Sequence, residues 1–211
     1  MSNYPGVAAL VVATLLVCAP ASAQRGEAND PHLRNDCRLA GQVLRTGNPA
    51  PRYEWAMDAI RRCDVSGPVT LASVWREAAP SDTTELGRLF NATRDFNDRR
   101  VVDAVADAAR RRDAPETTRV YAFALLFNYA VPGRYIIIQQ LLQPGEFPPR
   151  VRYFTHDDRG DSTRAVLGDL RPEVSALLRS VAVAEPGSRV GVAAQTVLRR
   201  LDDYWRWEDA G

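Results

Sequence analysis

Apolar residues recur along most of this chain at steps of three and four, the spacing of one face of an α-helix. Leu33, Cys37, Ala40 and Leu44 form the first such stripe, and Tyr53, Ala56, Ile60 and Cys63 form the second. Between them lies "GNPAP", where Gly47 ends a helix and the prolines turn the chain. Asp30 followed by Pro31 reads as an N-cap and a first helical position. The two stripes predict a helical hairpin. Cys37 and Cys63 each stand thirteen residues from Ala50, in the middle of the turn. In an antiparallel hairpin, equal distance from the bend means equal height, so the two thiols should face each other.

The pattern then repeats. Ser66-Gly67-Pro68 opens a helix with Leu71, Val74, Trp75 and Ala78 on one face, and "APSD" turns the chain. Asp82 and Glu85 have the spacing of a capping box ahead of Leu86, Leu89, Phe90 and Thr93. Asp98 begins a third pair through Val101, Val102, Val105, Ala108 and Ala109. "RRRDAPE" turns it, with Asp113 and Glu116 again spaced as a box and Pro115 in the first turn. "RVYAFALLFNYAV" follows and is apolar almost all round, which predicts a centrally buried helix. A last pair runs from Pro172 through Val174, Leu177, Leu178 and Val181, turns at "AEPGS", and continues through Val190, Ala194, Val197, Leu198 and Leu201. Each turn between partners carries a proline, at Pro51, Pro80, Pro115 and Pro186, separated by 29, 35 and 71 residues. The last interval is close to twice the one before it, as though one unit had been replaced.

That unit, about 132–171, lacks the helical rhythm. It is rich in proline, and "RVRYFTH" holds strand formers between turn signals. The expectation is an irregular or β-hairpin-containing insertion, with a short helix around Ile137 to Leu142. Long irregular segments inside compact domains are often functional.

Helix pairs repeating every 30 to 40 residues or so, joined by tight proline turns, belong to α-α solenoids. The segments "WREAAPSDTTELGRLF", "ARRRDAPETTRVYAFALLF" and "AVAEPGSRVGVAAQTVL" resemble HEAT repeats. The resemblance covers 33–131 and 172–204, and the 132–171 segment departs from it. It implies an all-α solenoid of HEAT-like hairpins, curved so that its helices expose a surface to protein partners. It implies no catalytic residues.

Composition adds little to the fold and more to the setting. The chain has 211 residues, enough for one domain or a short repeat array. Its formal net charge is +1, so no basic excess points to nucleic acid. All 27 basic residues are Arg, a pattern of GC-rich coding rather than of arginine chemistry. Val7 to Ala19 is an apolar run followed by Ala21-Ser22-Ala23, the form of a cleaved secretory signal over residues 1–23. Residues 24–211 then form the HEAT-like domain. The run is short for a membrane span, so the membrane enters only through the cleaved signal. Export to the periplasm or beyond makes Cys37 and Cys63 an even pair in an oxidising compartment, where a disulfide persists. A metal site would want two further soft ligands, and only His32 is near in sequence.

Chemistry is sparse. "THDDRGD" gathers His156, Asp157, Asp158 and Asp161, carboxylates with one imidazole that suit a divalent cation or an ordinary polar turn. Ser162 lies near His156 but not in a Gly-x-Ser-x-Gly elbow. No catalytic residue, metal ligand or cofactor is assigned. The partner-binding candidates are Arg152, Tyr153, His156, Asp157, Asp158 and Trp207. Arg61-Arg62, Arg110 to Arg112 and Arg199-Arg200 sit near helix C-terminal halves, where they suit the helix dipole or an anionic envelope component. Trp205 continues the face of Leu198 and Leu201, as a cap for the open end of the stack. The chain therefore reads as an exported, non-catalytic binding or scaffold protein with an unknown protein partner. A metal-dependent accessory factor or enzyme using the insertion is the alternative.

The intact mass of protein recovered from the native envelope tests the setting. It should begin at Gln24 and be lighter than the dithiol by the two hydrogens that a disulfide lacks. Two free thiols in oxidised material would contradict it.

Overall fold

The computed structural model describes residues 26–46, 50–131, 163 and 165–208, with residues 50–52, 78 and 205–208 given by backbone alone. Among them the secondary structure is all helical. The helices are α1 (Pro31–Thr46), α2 (Ala50–Ile60), α3 (Ser66–Ser73, continued by a π-helical turn Val74–Ala78), α4 (Thr83–Thr93), α5 (Arg99–Arg110), α6 (Glu116–Ala130), α7 (Arg171–Ala184) and α8 (Arg189–Glu208). None of them is long and apolar enough to cross a membrane.

Local chemistry explains most boundaries. The Asp30 carboxylate accepts from the His32 and Leu33 amides at 2.9 and 3.1 Å and starts α1. Asp82 does the same for Thr84 and Glu85 at 2.9 and 3.0 Å. Asp98 accepts from the Arg100 amide at 2.9 Å. The π-helical turn stops at Ala79, whose ψ of 126° is extended. Pro80 follows, and a proline disfavours helical geometry in the residue before it. The box spacing at Asp113 and Glu116 forms no cap: Pro115 is the N-cap of α6, and no side chain bonds to the exposed amides there. Asp113 lies 3.4 Å from Arg111 instead. Pro51 falls in the first turn of α2 rather than in the bend.

The helices pack in two rows. α1 touches α3, α3 touches α5, and α5 touches α7; in parallel, α2 touches α4, α4 touches α6, and α6 touches α8. Partners α1 and α2, α5 and α6, and α7 and α8 close the two rows on each other, and α3 and α4 do so more loosely. Trp75, Phe123 and Phe127 are the bulkiest fully buried side chains. The Trp75 indole donates to Thr93 Oγ1 at 2.9 Å, and that hydroxyl donates to the Leu89 carbonyl at 2.6 Å. The Tyr129 hydroxyl donates to the Thr93 carbonyl at 2.9 Å. This buried chain ties the π-helical turn, α4 and α6 together without leaving the indole or either hydroxyl unmatched.

Cys37 and Cys63 form a disulfide, with Cα atoms 5.8 Å apart. Helix α2 ends at Ile60, so Cys63 sits in the following turn rather than on the helix. Its amide donates to the Ile60 carbonyl at 3.0 Å, and its own carbonyl accepts from Gly67 at 3.0 Å. That turn keeps the thiol at the height which the helical stripe predicts. Of the 132–171 segment, Thr163 and residues 165–167 are helical, and Gly168 then takes φ 73°. Thr163 Oγ1 donates to Asn97 Oδ1 at 2.9 Å and joins this piece to the loop before α5.

The turn between α7 and α8 brings backbone close to Gly191. Ser188 Oγ accepts from the Gly191 amide at 2.9 Å and donates to the Glu185 carbonyl at 2.9 Å. A Cβ on Gly191 would stand 2.0 Å from that carbonyl oxygen. Gly191→Ala should therefore destabilise by about 1–3 kcal/mol, as overpacking does. Gly87→Ala is the control: its Cβ meets nothing nearer than the Tyr121 hydroxyl at 3.9 Å. Helix propensity alone then makes it stabilising by about 0.5–1 kcal/mol. Urea melts of both variants check the contrast.

Candidate functional site

Helices α2 and α4 lie side by side and each turns one stripe toward the other. Glu54, Met57, Asp58 and Arg61 come from α2 at helical spacing, and Arg88, Asn91 and Ala92 come from α4. Between them is a half-open groove with an empty volume of about 390 Å³, counting space continuous with solvent. Buried Met57 and Ala92 form its apolar floor, and the charged residues form its rim. Arg88 pairs with Glu54 at 3.2 Å, and Arg61 with Asp95 at 2.6 Å. Asp58 and Asn91 are exposed in the same groove, and Asp58 has no ion-pair partner among the described residues. The groove combines an apolar base, an amide and one unmatched carboxylate. Such a set holds a side chain or short segment carrying a positive group better than it holds an anion.

The chain matches no protein-family model, no curated protein and no solved structure.

The residues that the sequence singles out are distributed unevenly. Arg152, Tyr153, His156, Asp157 and Asp158 lie outside the described residues, as do Asp161 and Ser162. Trp207 lies in α8, and its side chain, like that of Trp205, is outside the description. His32 is exposed in the first turn of α1. The Arg110 to Arg112 run is engaged with the chain's own acids. Arg110 is 3.9 Å from Asp107, Arg111 is 3.4 Å from Asp113, and Arg112 is 3.9 Å from Glu185. Arg111 also donates to the Arg76 carbonyl at the π-helical turn. Sequence reasoning missed the groove because neither stripe is unusual alone. The signal was present in the polar residues at 54, 58 and 61 and at 88 and 91, but their alignment depends on how α2 packs against α4.

Two further buried groups are polar. Tyr53 is 3% exposed, and its hydroxyl has no hydrogen-bond partner among the described residues. Burial, aided by the Glu85 charge, pushes its phenol up, so it stays neutral. The second is the ion pair of Arg119 and Glu185, which joins α6 to the turn between α7 and α8. Arg119 is 3% exposed and donates to both Glu185 oxygens, at 2.9 and 2.7 Å. Its Nε donates to the Ala109 carbonyl at 3.1 Å. The pair fastens the last hairpin to the third.

The Arg119 hydrogen bonds hold the Glu185 carboxyl below the usual carboxylate range. A carboxyl with a lowered folded pKa binds fewer protons folded than unfolded. Its contribution is full above the unfolded value and is lost as pH falls through the folded one. Glu185→Ala at pH 7 leaves Arg119 buried without its counter-charge and should cost about 3 kcal/mol. The gap between wild type and variant should narrow on acidification below the ordinary carboxylate range. Thermal melts of both proteins from neutral to acidic pH measure it.

Proposed function

We propose that the chain is an exported, HEAT-like helical-repeat protein that binds a protein partner as a non-catalytic scaffold in the cell envelope. The observation that carries this reading is the pair of helix rows. Each helix meets its counterpart in the next pair, α1 to α3 to α5 to α7 and α2 to α4 to α6 to α8. That adjacency is what an α-α solenoid requires, because each pair covers the face its neighbour leaves open. A buried disulfide in the first pair agrees with an oxidising compartment. The cleaved signal over residues 1–23 and the placement in the periplasm or outside the cell belong to the same reading.

The groove between α2 and α4 is the docking face of this proposal. It lies between equivalent helices of successive pairs, where repeat proteins generally offer side chains to partners. Asp58 gives it a preference for a cationic segment. The Arg clusters at 110–112 have internal partners, which favours a protein partner over an anionic envelope component.

Cross-linking and capture from the native envelope, with wild type and Asp58→Arg in parallel, tests the proposal. Asp58 is exposed, so the variant should melt with wild type, within about 0.5 kcal/mol. A partner captured by wild type should be lost from the variant. Equal capture by both proteins would remove the groove, and no specific capture by wild type would remove the scaffold reading.

A further inference from the structure

The disulfide has a third group beside it. Glu27 is 6% exposed, and one of its carboxylate oxygens lies within 4.8 Å of both Cys37 and Cys63 sulfur atoms. The three residues are all buried, and their potential ligand atoms lie within 4.8 Å of one another. Glu27 is held there from both ends. Its amide donates to Asp64 Oδ1 at 3.0 Å. Its carboxylate accepts from the Val65 and Ser66 amides, at 3.1 and 2.8 Å, as α3 begins. No arginine pairs with it among the described residues. The carboxylate is thus desolvated, oriented and next to two sulfur atoms that need only separate to become ligands.

We propose that Glu27, Cys37 and Cys63 form a redox-gated site for a thiophilic divalent cation of the Zn²⁺ class. In the oxidised chain the sulfur atoms are bonded to each other, and the site is closed. A dithiol reductant opens it: the S–S bond breaks, two electrons and two protons pass to the cysteines, and the reductant leaves as its own disulfide. Binding of Zn²⁺ then releases both thiol protons to solvent. The ion takes two thiolates and one carboxylate, and water fills the fourth tetrahedral position. The Cα separation of 5.8 Å lets both thiolates reach one ion. The set carries one net negative charge, which faces the amide-rich start of α3. The Val65 and Ser66 amides act as the outer partners that orient a metal-binding carboxylate. A small disulfide oxidant closes the site again: it takes two electrons from the two thiolates and two protons from solvent, leaves as two thiols, and the re-formed S–S bond expels the ion.

The test uses the full mature chain and Zn²⁺ itself, in competition with a chromophoric chelator. Oxidised wild type should bind none. Wild type reduced by a non-chelating phosphine should bind one equivalent, which raises its melting temperature and preserves its helical circular dichroism. Reduced Glu27→Gln should bind more weakly by at least about 10–100-fold, since loss of an outer-shell partner alone costs that much and Glu27 is a direct ligand. Co²⁺ in place of Zn²⁺ should give the intense absorption of a tetrahedral thiolate site in reduced wild type. Three outcomes would overturn the proposal. They are no binding by reduced wild type, equal affinity in the Gln variant, and zinc uptake by an unfolded reduced chain without recovery of helicity.

Discussion

From Thr118 to Ala130 every residue of α6 is buried, none more than 9% exposed, and that one condition organises the helices around it. An apolar stripe can be covered by a single neighbour, but a helix that is apolar on every side needs several. Here α4, α5, α7 and α8 all pack against it. The burial also dictates where polar groups on α6 must find partners. Arg119 reaches Glu185 and the Ala109 carbonyl, Tyr129 reaches the Thr93 carbonyl, and Thr118 Oγ1 reaches the Pro80 carbonyl at 3.4 Å. Each of these bonds leaves α6 for a different element. The helix that anchors the hydrophobic core thus also sets the orientation of its neighbours through directional contacts.

The opposite end of the chain is stabilised by different means. Helix α1 has α2 and the α3 segment beside it, and no other helix among the described residues packs closely against its far side. A covalent link takes up part of that role. The bond between Cys37 and Cys63 closes a loop with a sequence separation of 26. Such a loop is worth about 3–4 kcal/mol in the chain-entropy model. Residues 26–30 fold back over the same corner. The Asn29 amide donates to the Gly26 carbonyl at 2.9 Å, and Glu27 grips the start of α3 through its carboxylate. The disulfide thus adds a covalent constraint to the packing that Cys37, Ala40, Leu44 and Ile60 share with the rest of the core.

The α2 and α4 groove joins the stapled first pair to a helix that itself packs against α6. Its floor belongs to the core, whereas its charged rim is exposed. A surface of that kind can change its side-chain chemistry without disturbing the fold, which is a property expected of a partner-binding face on a rigid scaffold.

Much of this was legible from the order of residues alone. Steps of three and four marked α1 to α8 but not the helical piece at Thr163 and 165–167, Asp82 and Asp98 marked two of the starts, and the symmetry of Cys37 and Cys63 about Ala50 marked their pairing. Those features are local, or reduce to the geometry of one hairpin, so the sequence carries them directly. The spacing at Asp113 and Glu116 misled because Pro115, rather than a capping aspartate, begins α6. Other features required the tertiary structure. Glu27 meets Val65 and Ser66 across 38 and 39 residues, and Arg119 meets Glu185 across 66. The groove needs two unremarkable stripes to face each other. Helical periodicity says which side of each helix is buried, but not which neighbour covers it. That choice is made only when the hairpins stack, because the packing energy is shared among all of them at once.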